Sequence, residues 1–306
     1  MRSRSLEDSR YVVALDVGGT SAKAGVVRLS DRMVSGRDRV PLRNSDPADR
    51  ILGDLAGCVA SRAAAVPADG AVTGLALAFP GPFEYDTGVC RIAGVAKFES
   101  LFGMNIGDEL AARTGIPRGR IAFVNDAEAA LGGEIRHGAA RGRRRVVGVT
   151  LGTGMGSGFF VDAARVSDGP GVPDNGGWLF DSLHDGMMAD DCFSIRGLKA
   201  RLRRFGAPSD DPENAAAAAR TGDPSSLAAF TDFGRGLGKF LAPFARAFGA
   251  DAILCVGGLC GAFDLFETPL RAAAPVAVVT GTLGMDAPLI AAADRFLARA
   301  ENVAAV

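Results

Sequence analysis

The chain has 306 residues, 48% of them hydrophobic, enough to bury one large core or two ordinary ones. Its formal net charge of −1 gives no long-range pull toward nucleic acid or an anionic membrane. Five cysteines form no CxxC pair, and only two histidines, His137 and His184, are present, so neither a disulfide framework nor a structural zinc site is supported.

The start, "MRSRSLEDSR", is polar and lacks an apolar h-region. No uninterrupted apolar run reaches the roughly 18–20 residues of a membrane-spanning helix. The expectation is a soluble protein of a reducing cytoplasm. In chain order, "YVVALD" at 11–16 reads as a buried strand, "VGGTS" as a turn and "AKAGVVRLS" as a returning strand. Residues 47–65 carry Ile51, Leu55, Cys58 and Val59 at helical spacing. "GLALAFPGP" at 74–82 is a short strand ending in a Pro/Gly turn, and 105–114 suggests a helix. "IAFVND" at 121–126 is another strand, followed by the helical "AEAALGGEIRHG". The arginine run at 141–145 reads as a solvated loop before the next strand.

"VVGVTLGTGMGSGFFVDA" at 146–163 is again strand, glycine turn, strand. A Gly- and Asp-rich loop covers 165–191, and helices are expected at 192–205, 211–220 and 224–248. "AILCVGGLCG" at 252–261 is strand then glycine turn, 275–281 a last strand and 286–300 a last helix. Residues 13–27 and 147–161 superpose without a gap, and two glycine hairpins, each opening one half, suggest a duplicated α/β domain with a boundary near 120.

Backbone N–H groups in a glycine turn can cradle an anion, although a lone glycine hairpin is usually just a tight turn. Neither turn is a P-loop or a dinucleotide fingerprint, since GxxxxGK[ST] is absent and a strand follows "GTGMGSG". Asp16 beside Gly18–Gly19 adds a carboxylate that a phosphate would repel unless a cation such as Mg²⁺ lay between. In "FVNDAEAALGGE", Asp126 ends a buried strand before a helix, which suits either an N-cap or a general base.

"ALDVGGTSAKAGVV", "AFPGP", "FVNDAEAALGGE", "VTLGTGMGSG" and "ILCVGGL" occur in that order. Together they resemble the motifs of the repressor–ORF–kinase (ROK) family of sugar kinases in the actin/hexokinase superfamily, from about residue 12 to 295. The resemblance implies two duplicated actin-like α/β lobes with a cleft between them: 1–120, with a last helix at about 286–306 packing back on it, and 121–285. Asp16, Gly18, Gly19, Thr20 and Lys23 match the first ATP-phosphate motif, Gly152, Thr153 and Gly154 the second, and Gly257 and Gly258 the adenosine turn. Asp16 would meet Mg²⁺ through water. Asp126 matches the catalytic base, and Asn125, Asp126 and Gly81 the sugar site. Lys97 and Glu99 are further possible sugar contacts, and Glu134 a supporting group. The few residues before the first hairpin favour the kinase branch over the DNA-binding repressors.

The pattern breaks at "DNGGWLFDSLHDGMMADDCFSIRGL", 174–198. ROK kinases usually carry Glu-x-Gly-His, a CxCGxxGC zinc cluster and a further Glu. Here Gly177 stands at the first Glu, Phe180 at the His and Asp191 near the last Glu, and the cysteine cluster is missing. Zinc needs about four ligands, so no zinc is expected. The loop keeps acidity in Asp181, Asp185, Asp190 and Asp191, which serve as turn and cap residues or as sugar contacts. With Asp181 and Asp191 as partners for an ammonium group, the expectation is an ATP- and Mg²⁺-dependent 6-kinase of a hexose or aminohexose, favouring an amino sugar such as kanosamine. An ordinary zinc-less glucokinase and a non-catalytic sugar-sensing ROK protein are the alternatives. The expected partners are small molecules and a second copy in a homodimer, with no nucleic acid and no membrane.

Overall fold

A computed structural model describes residues 9–94 and 97–304, so most of the polar N-terminal stretch lies outside it. Contacts divide the chain into two units, one of 1–129 with 285–306 and one of 130–284.

In the first unit, β1 (Arg10–Val17), β2 (Ser21–Arg28) and β3 (Val34–Pro41) form an antiparallel meander. Helix α1 (Ala48–Ala63) leads to β4 (Ala71–Phe79), then a two-residue-per-strand hairpin, β5 (Phe83–Glu84) and β6 (Val89–Cys90). Helix α2 (Ile106–Thr114) precedes β7 (Ile121–Asn125), and α3 (Asp126–His137) follows without a linker, its residues from 130 onward belonging to the second unit. The sheet order is β3-β2-β1-β4-β7, with β1, β4 and β7 parallel. Both faces of the parallel strands are covered, which is why they read as continuous apolar runs rather than alternating ones. Val13, Leu15, Leu75 and Leu77 pack with Ile51, Leu52 and Leu55 of α1.

The second unit repeats this plan. β8 (Arg145–Leu151), β9 (Met155–Val161) and β10 (Ala164–Val166) are antiparallel. A small hairpin, β11 (Leu183–His184) and β12 (Met187–Met188), precedes α4 (Ala189–Phe193), α5 (Ile195–Phe205), α6 (Pro212–Arg220) and α7 (Pro224–Phe248). β13 (Ala252–Val256), α8 (Phe263–Ala273) and β14 (Ala277–Thr280) complete the order β10-β9-β8-β13-β14. β8, β13 and β14 are parallel, as their counterparts are. Finally α9 (Asp286–Ala304) returns to the first unit and packs across β1, β4 and β7.

The two hairpins differ by one residue. Val17 pairs with Ala22 around residues 18–21, whereas Leu151 pairs with Met155 around 152–154. The gap-free superposition of 13–27 on 147–161 therefore needs a one-residue deletion in the turn.

Three other expectations need correction. Strand β3 was unexpected, because after Val34 its next five residues are exposed and carry no alternation. Helix α8 was also missed: Pro269 lies inside it and interrupts the local signal, while Phe263, Phe266 and Leu270 supply its buried stripe. The 165–191 loop is partly ordered into β10, the β11–β12 hairpin and the start of α4, with Asp185 and Gly186 at φ 50° and 82° in the hairpin turn.

Candidate functional site

Register brings the first unit's candidate residues to one sheet edge. Asp16 of β1 pairs with Ala78 of β4, and Phe79 of β4 pairs with Asn125 of β7. The strands are parallel, so the 16–20 turn, the Pro80–Gly81 turn and Asn125–Asp126 all lie at the carboxyl-end edge, where open α/β sheets bind ligands.

In the β1–β2 turn the Gly18 N–H donates to the Ser21 carbonyl at 3.0 Å. The N–H groups of Gly19 and Thr20 meet no acceptor among the described residues. Asn44 covers the turn, its N–H donating to the Gly19 carbonyl at 3.2 Å, and a Cβ on Gly19 would lie 2.6 Å from Asn44 Nδ2. Asn44 carries no motif that marks it in the sequence. Lys23, opposite Asp16 in the ladder, donates from Nζ to Asp16 Oδ2 at 2.7 Å. Asp16 Oδ1 has no donor among the described residues, so that oxygen is open toward the turn's edge.

Asn125 and Asp126 divide two roles that the sequence left joined. Asn125 Oδ1 accepts the Glu128 N–H at 3.0 Å, which makes Asn125 the cap of α3. Its Nδ2 donates to the Tyr85 hydroxyl at 2.9 Å, and that hydroxyl donates to the Phe79 carbonyl at 3.2 Å. Gly81 lies beside this network, since a Cβ there would be 3.1 Å from the Tyr85 hydroxyl and 3.8 Å from Asn125 Nδ2. Asp126 Oδ1 accepts the Ala127 N–H at 2.8 Å, and Oδ2 has no donor among the described residues. Burial pushes the Asp126 carboxyl from the usual carboxylate value up to about 6, and the Asp16 charge adds to the rise. The Ala127 N–H and the Lys97 charge act against it. Lys97 and Glu99 are exposed, and Val95–Ala96 of the same segment lie outside the described residues.

The second unit places its motifs at the matching edge. Gly152 N–H donates to the Gly154 carbonyl at 3.1 Å, and Thr150 Oγ1 accepts the Gly156 N–H at 2.9 Å. The Thr153 and Gly154 N–H groups meet no acceptor among the described residues. Val256 of β13 pairs with Thr150, so Gly257 follows directly beside this turn. Gly257 has φ 104°, and a Cβ there would sit 2.5 Å from the Leu151 carbonyl oxygen, so the backbone can pass only as glycine. Gly258 opens a short 3-10 turn with free space around it.

The remaining acids are structural anchors in part. Glu134 is buried; Oε1 accepts the Leu283 N–H at 2.6 Å and Oε2 the Ala139 N–H at 2.9 Å, tying the end of α3 to the segment after β14. Asp181 is exposed and accepts from Asn175 Nδ2 at 2.8 Å. Asp191 is exposed and paired with Arg196 at 2.9 Å. Asp190, one residue earlier, turns inward instead: its Oδ1 accepts the Met155 N–H at 2.6 Å. Sequence reasoning set Asp190 only among the loop acids. A strong signal was lacking, because its partner lies 35 residues away.

His184 packs its ring 5.1 Å from Phe193 and 5.8 Å from Phe240. Cys192 is buried, which pushes its thiol up, and its Sγ lies 3.9 Å from the His184 carbonyl. Among the described residues no three His, Cys, Asp or Glu side chains gather as a metal ion would require. No helix of the described residues is long and apolar enough to cross a membrane.

Comparison with known proteins gives this geometry a family. The glucokinase of Streptomyces coelicolor is 27% identical over 324 residues, covering 92% of this chain and 96% of that protein. The beta-glucoside kinase of Klebsiella pneumoniae is 26% identical over 257 residues, covering 81% and 82%. The crystal structure of a ROK family glucokinase from Streptomyces griseus, in complex with glucose and AMPPNP, matches with a TM-score of 0.74 at 22% identity, covering 93% and 98%. A ROK family transcriptional regulator, homolog of the E. coli MLC protein, matches with a TM-score of 0.74 at 16% identity, covering 95% of this chain and 78% of that one. These structures share the α/β fold with its two five-stranded sheets. The family model for ROK matches residues 12–295, nearly the whole chain, and the chain therefore belongs to the ROK family.

Proposed function

We propose that this protein is an ATP-dependent sugar kinase that phosphorylates the 6-hydroxyl of a hexose or aminohexose. The observation that carries the reading is Asp126: a carboxyl at the edge of the sheet, raised to about 6, with one oxygen lacking any donor among the described residues. The kinase names of the relatives, which include glucokinases, beta-glucoside kinases and a bifunctional NanE/NanK enzyme, support the same class.

A sugar hydroxyl is a weak nucleophile, and a carboxylate within hydrogen-bond reach can take its proton as it attacks. The hydroxyl oxygen bonds to the γ-phosphorus, the bond to the bridging oxygen breaks, and ADP leaves with that electron pair. The proton passes to Asp126 Oδ2. Phosphoryl transfer otherwise needs alignment and charge neutralisation. The open N–H pairs of Gly19–Thr20 and Thr153–Gly154 suit phosphate oxygens. Mg²⁺ bound with ATP would supply charge neutralisation at the phosphates; Asp16 Oδ1 would hold a water of its shell, and Lys23 Nζ, donating to Asp16 Oδ2, keeps that carboxylate in place. Asn125, fixed by Tyr85 and the α3 cap, and Gly81 beside it would face the sugar. The two units, each built on a glycine hairpin, would act as the duplicated lobes, one carrying the base and the other the second phosphate turn and Gly257–Gly258.

No zinc belongs to this reading, because the cysteine cluster usual in ROK kinases is missing from 174–198. Amino-sugar preference, with kanosamine as the specific candidate, rests mainly on Asp181, whose Oδ2 has no partner among the described residues, since Asp191 is already paired with Arg196. Assembly as a homodimer in the cytoplasm belongs to the same reading and is open to sedimentation analysis. An ADP-release assay with a panel of hexoses and amino sugars tests the whole: turnover with kanosamine at a kcat/KM at least about tenfold above glucose supports the amino-sugar form. Equal or better use of glucose makes the protein a zinc-less glucokinase. Sugar binding without turnover on any member would make it a non-catalytic sensor.

A further inference from the structure

We propose that Asp190, held by Arg196, is a positioning residue that fixes the second glycine turn in the form that offers the Thr153 and Gly154 N–H groups to the nucleotide phosphates. The inference rests on the kinase reading and adds to it a part for the acidic loop at the second phosphate turn. Five contacts carry it. Asp190 Oδ1 accepts the Met155 N–H at 2.6 Å, at the point where the turn becomes β9. Asp190 Oδ2 takes Arg196 Nη2 at 2.5 Å, and the same guanidinium holds Asp191 at 2.9 Å. The Ile195 N–H donates to the Gly152 carbonyl at 2.8 Å, so α5 grips the other end of the turn. The Asp190 N–H donates to the Phe180 carbonyl at 2.9 Å, which ties this carboxylate to the loop before the hairpin.

A three-residue turn with glycines at both ends has many accessible shapes, and a charge-assisted bond to its exit N–H removes most of them. A bare carboxylate there would repel phosphate, and Arg196 neutralises it. Asp190 thus shapes the cradle without adding an uncompensated negative charge.

The test is calorimetric binding of MgAMPPNP, which needs no sugar. Asp190→Ala should weaken nucleotide binding about tenfold, equivalent to about 1.4 kcal/mol. Asp190→Asn, which keeps the acceptor for Met155, should recover part of that loss. Arg196→Ala, should Asp190→Ala fail to fold, leaves two unneutralised acids and should also weaken binding; adding Asp190→Asn to it should restore some affinity. The KM for sugar should be unmoved while the KM for ATP rises, a split that general loss of structure does not produce. Wild-type-like nucleotide affinity in folded Asp190→Ala, or in Arg196→Ala when only that variant folds, overturns the proposal alone. Absence of nucleotide binding by the unchanged protein overturns the kinase reading and this proposal together.

Discussion

Replacing Asp126 by Asn removes the ionisable group while preserving the acceptor for the Ala127 N–H. Two effects of opposite sign follow. Loss of a general base lowers kcat by about 10²–10⁴-fold. Stability moves the other way. The folded carboxyl titrates at about 6 against an ordinary 3.8, a rise of roughly 2 units, and at 1.36 kcal/mol per unit the ionised form costs the folded state up to about 3 kcal/mol. For a group whose folded value is raised, the relative stability is fully present below the unfolded value and lost as pH rises through the folded one. At pH 8 wild type therefore carries the whole cost and Asp126→Asn does not, whereas near pH 4 the two converge. Asp126 is only partly covered, so solvent reaching the carboxylate trims the gain. Thermal unfolding at pH 8 and pH 4 reads the stability, and ADP release reads the rate. In wild type kcat/KM should fall tenfold per unit below about pH 6 and level off above it. Near-wild-type turnover in the variant would refute the assignment of Asp126 as the base, and a variant less stable than wild type at pH 8 would refute its raised carboxyl.

Lys97→Ala removes a charge that lowers the Asp126 value, so the acid limb of that pH profile should move upward; an unmoved limb would show Lys97 too distant to matter. Activity should vanish on chelation and return with Mg²⁺, and elemental analysis of the purified protein should find less than one zinc per chain. Glu134→Ala leaves the part-buried Leu283 and Ala139 N–H groups without their acceptor, and denaturant unfolding should show a loss of about 1–3 kcal/mol. Gly74→Ala places a Cβ 2.2 Å from the Phe296 ring and 2.5 Å from the Arg120 carbonyl oxygen, so the packing of α9 on β4 should loosen at a cost of about 1–3 kcal/mol, measured as a lowered unfolding midpoint.

The sequence by itself determined the α/β class, the two glycine hairpins and the strand ends that carry Asp16, Asn125–Asp126 and Gly257. These are local matters: continuous apolar runs such as "YVVALD" and "IAFVN" need burial on both faces, and a glycine turn is written in adjacent residues. Tertiary structure alone decided which side chain does what at those ends. Asn125 rather than Asp126 caps α3, because the cap acceptor must reach a particular N–H and Tyr85 holds the Asn125 amide in place. Asp190 rather than Asp191 reaches the second turn, because successive residues of helix α4 point about 100° apart: Arg196 holds both acids, and only Asp190 also meets the Met155 N–H. Strand β3 exists because β2 offers it an edge, not because its own exposed residues ask for one. Partners far apart in the chain are chosen by direction and distance in space, and neighbouring letters in a sequence carry neither.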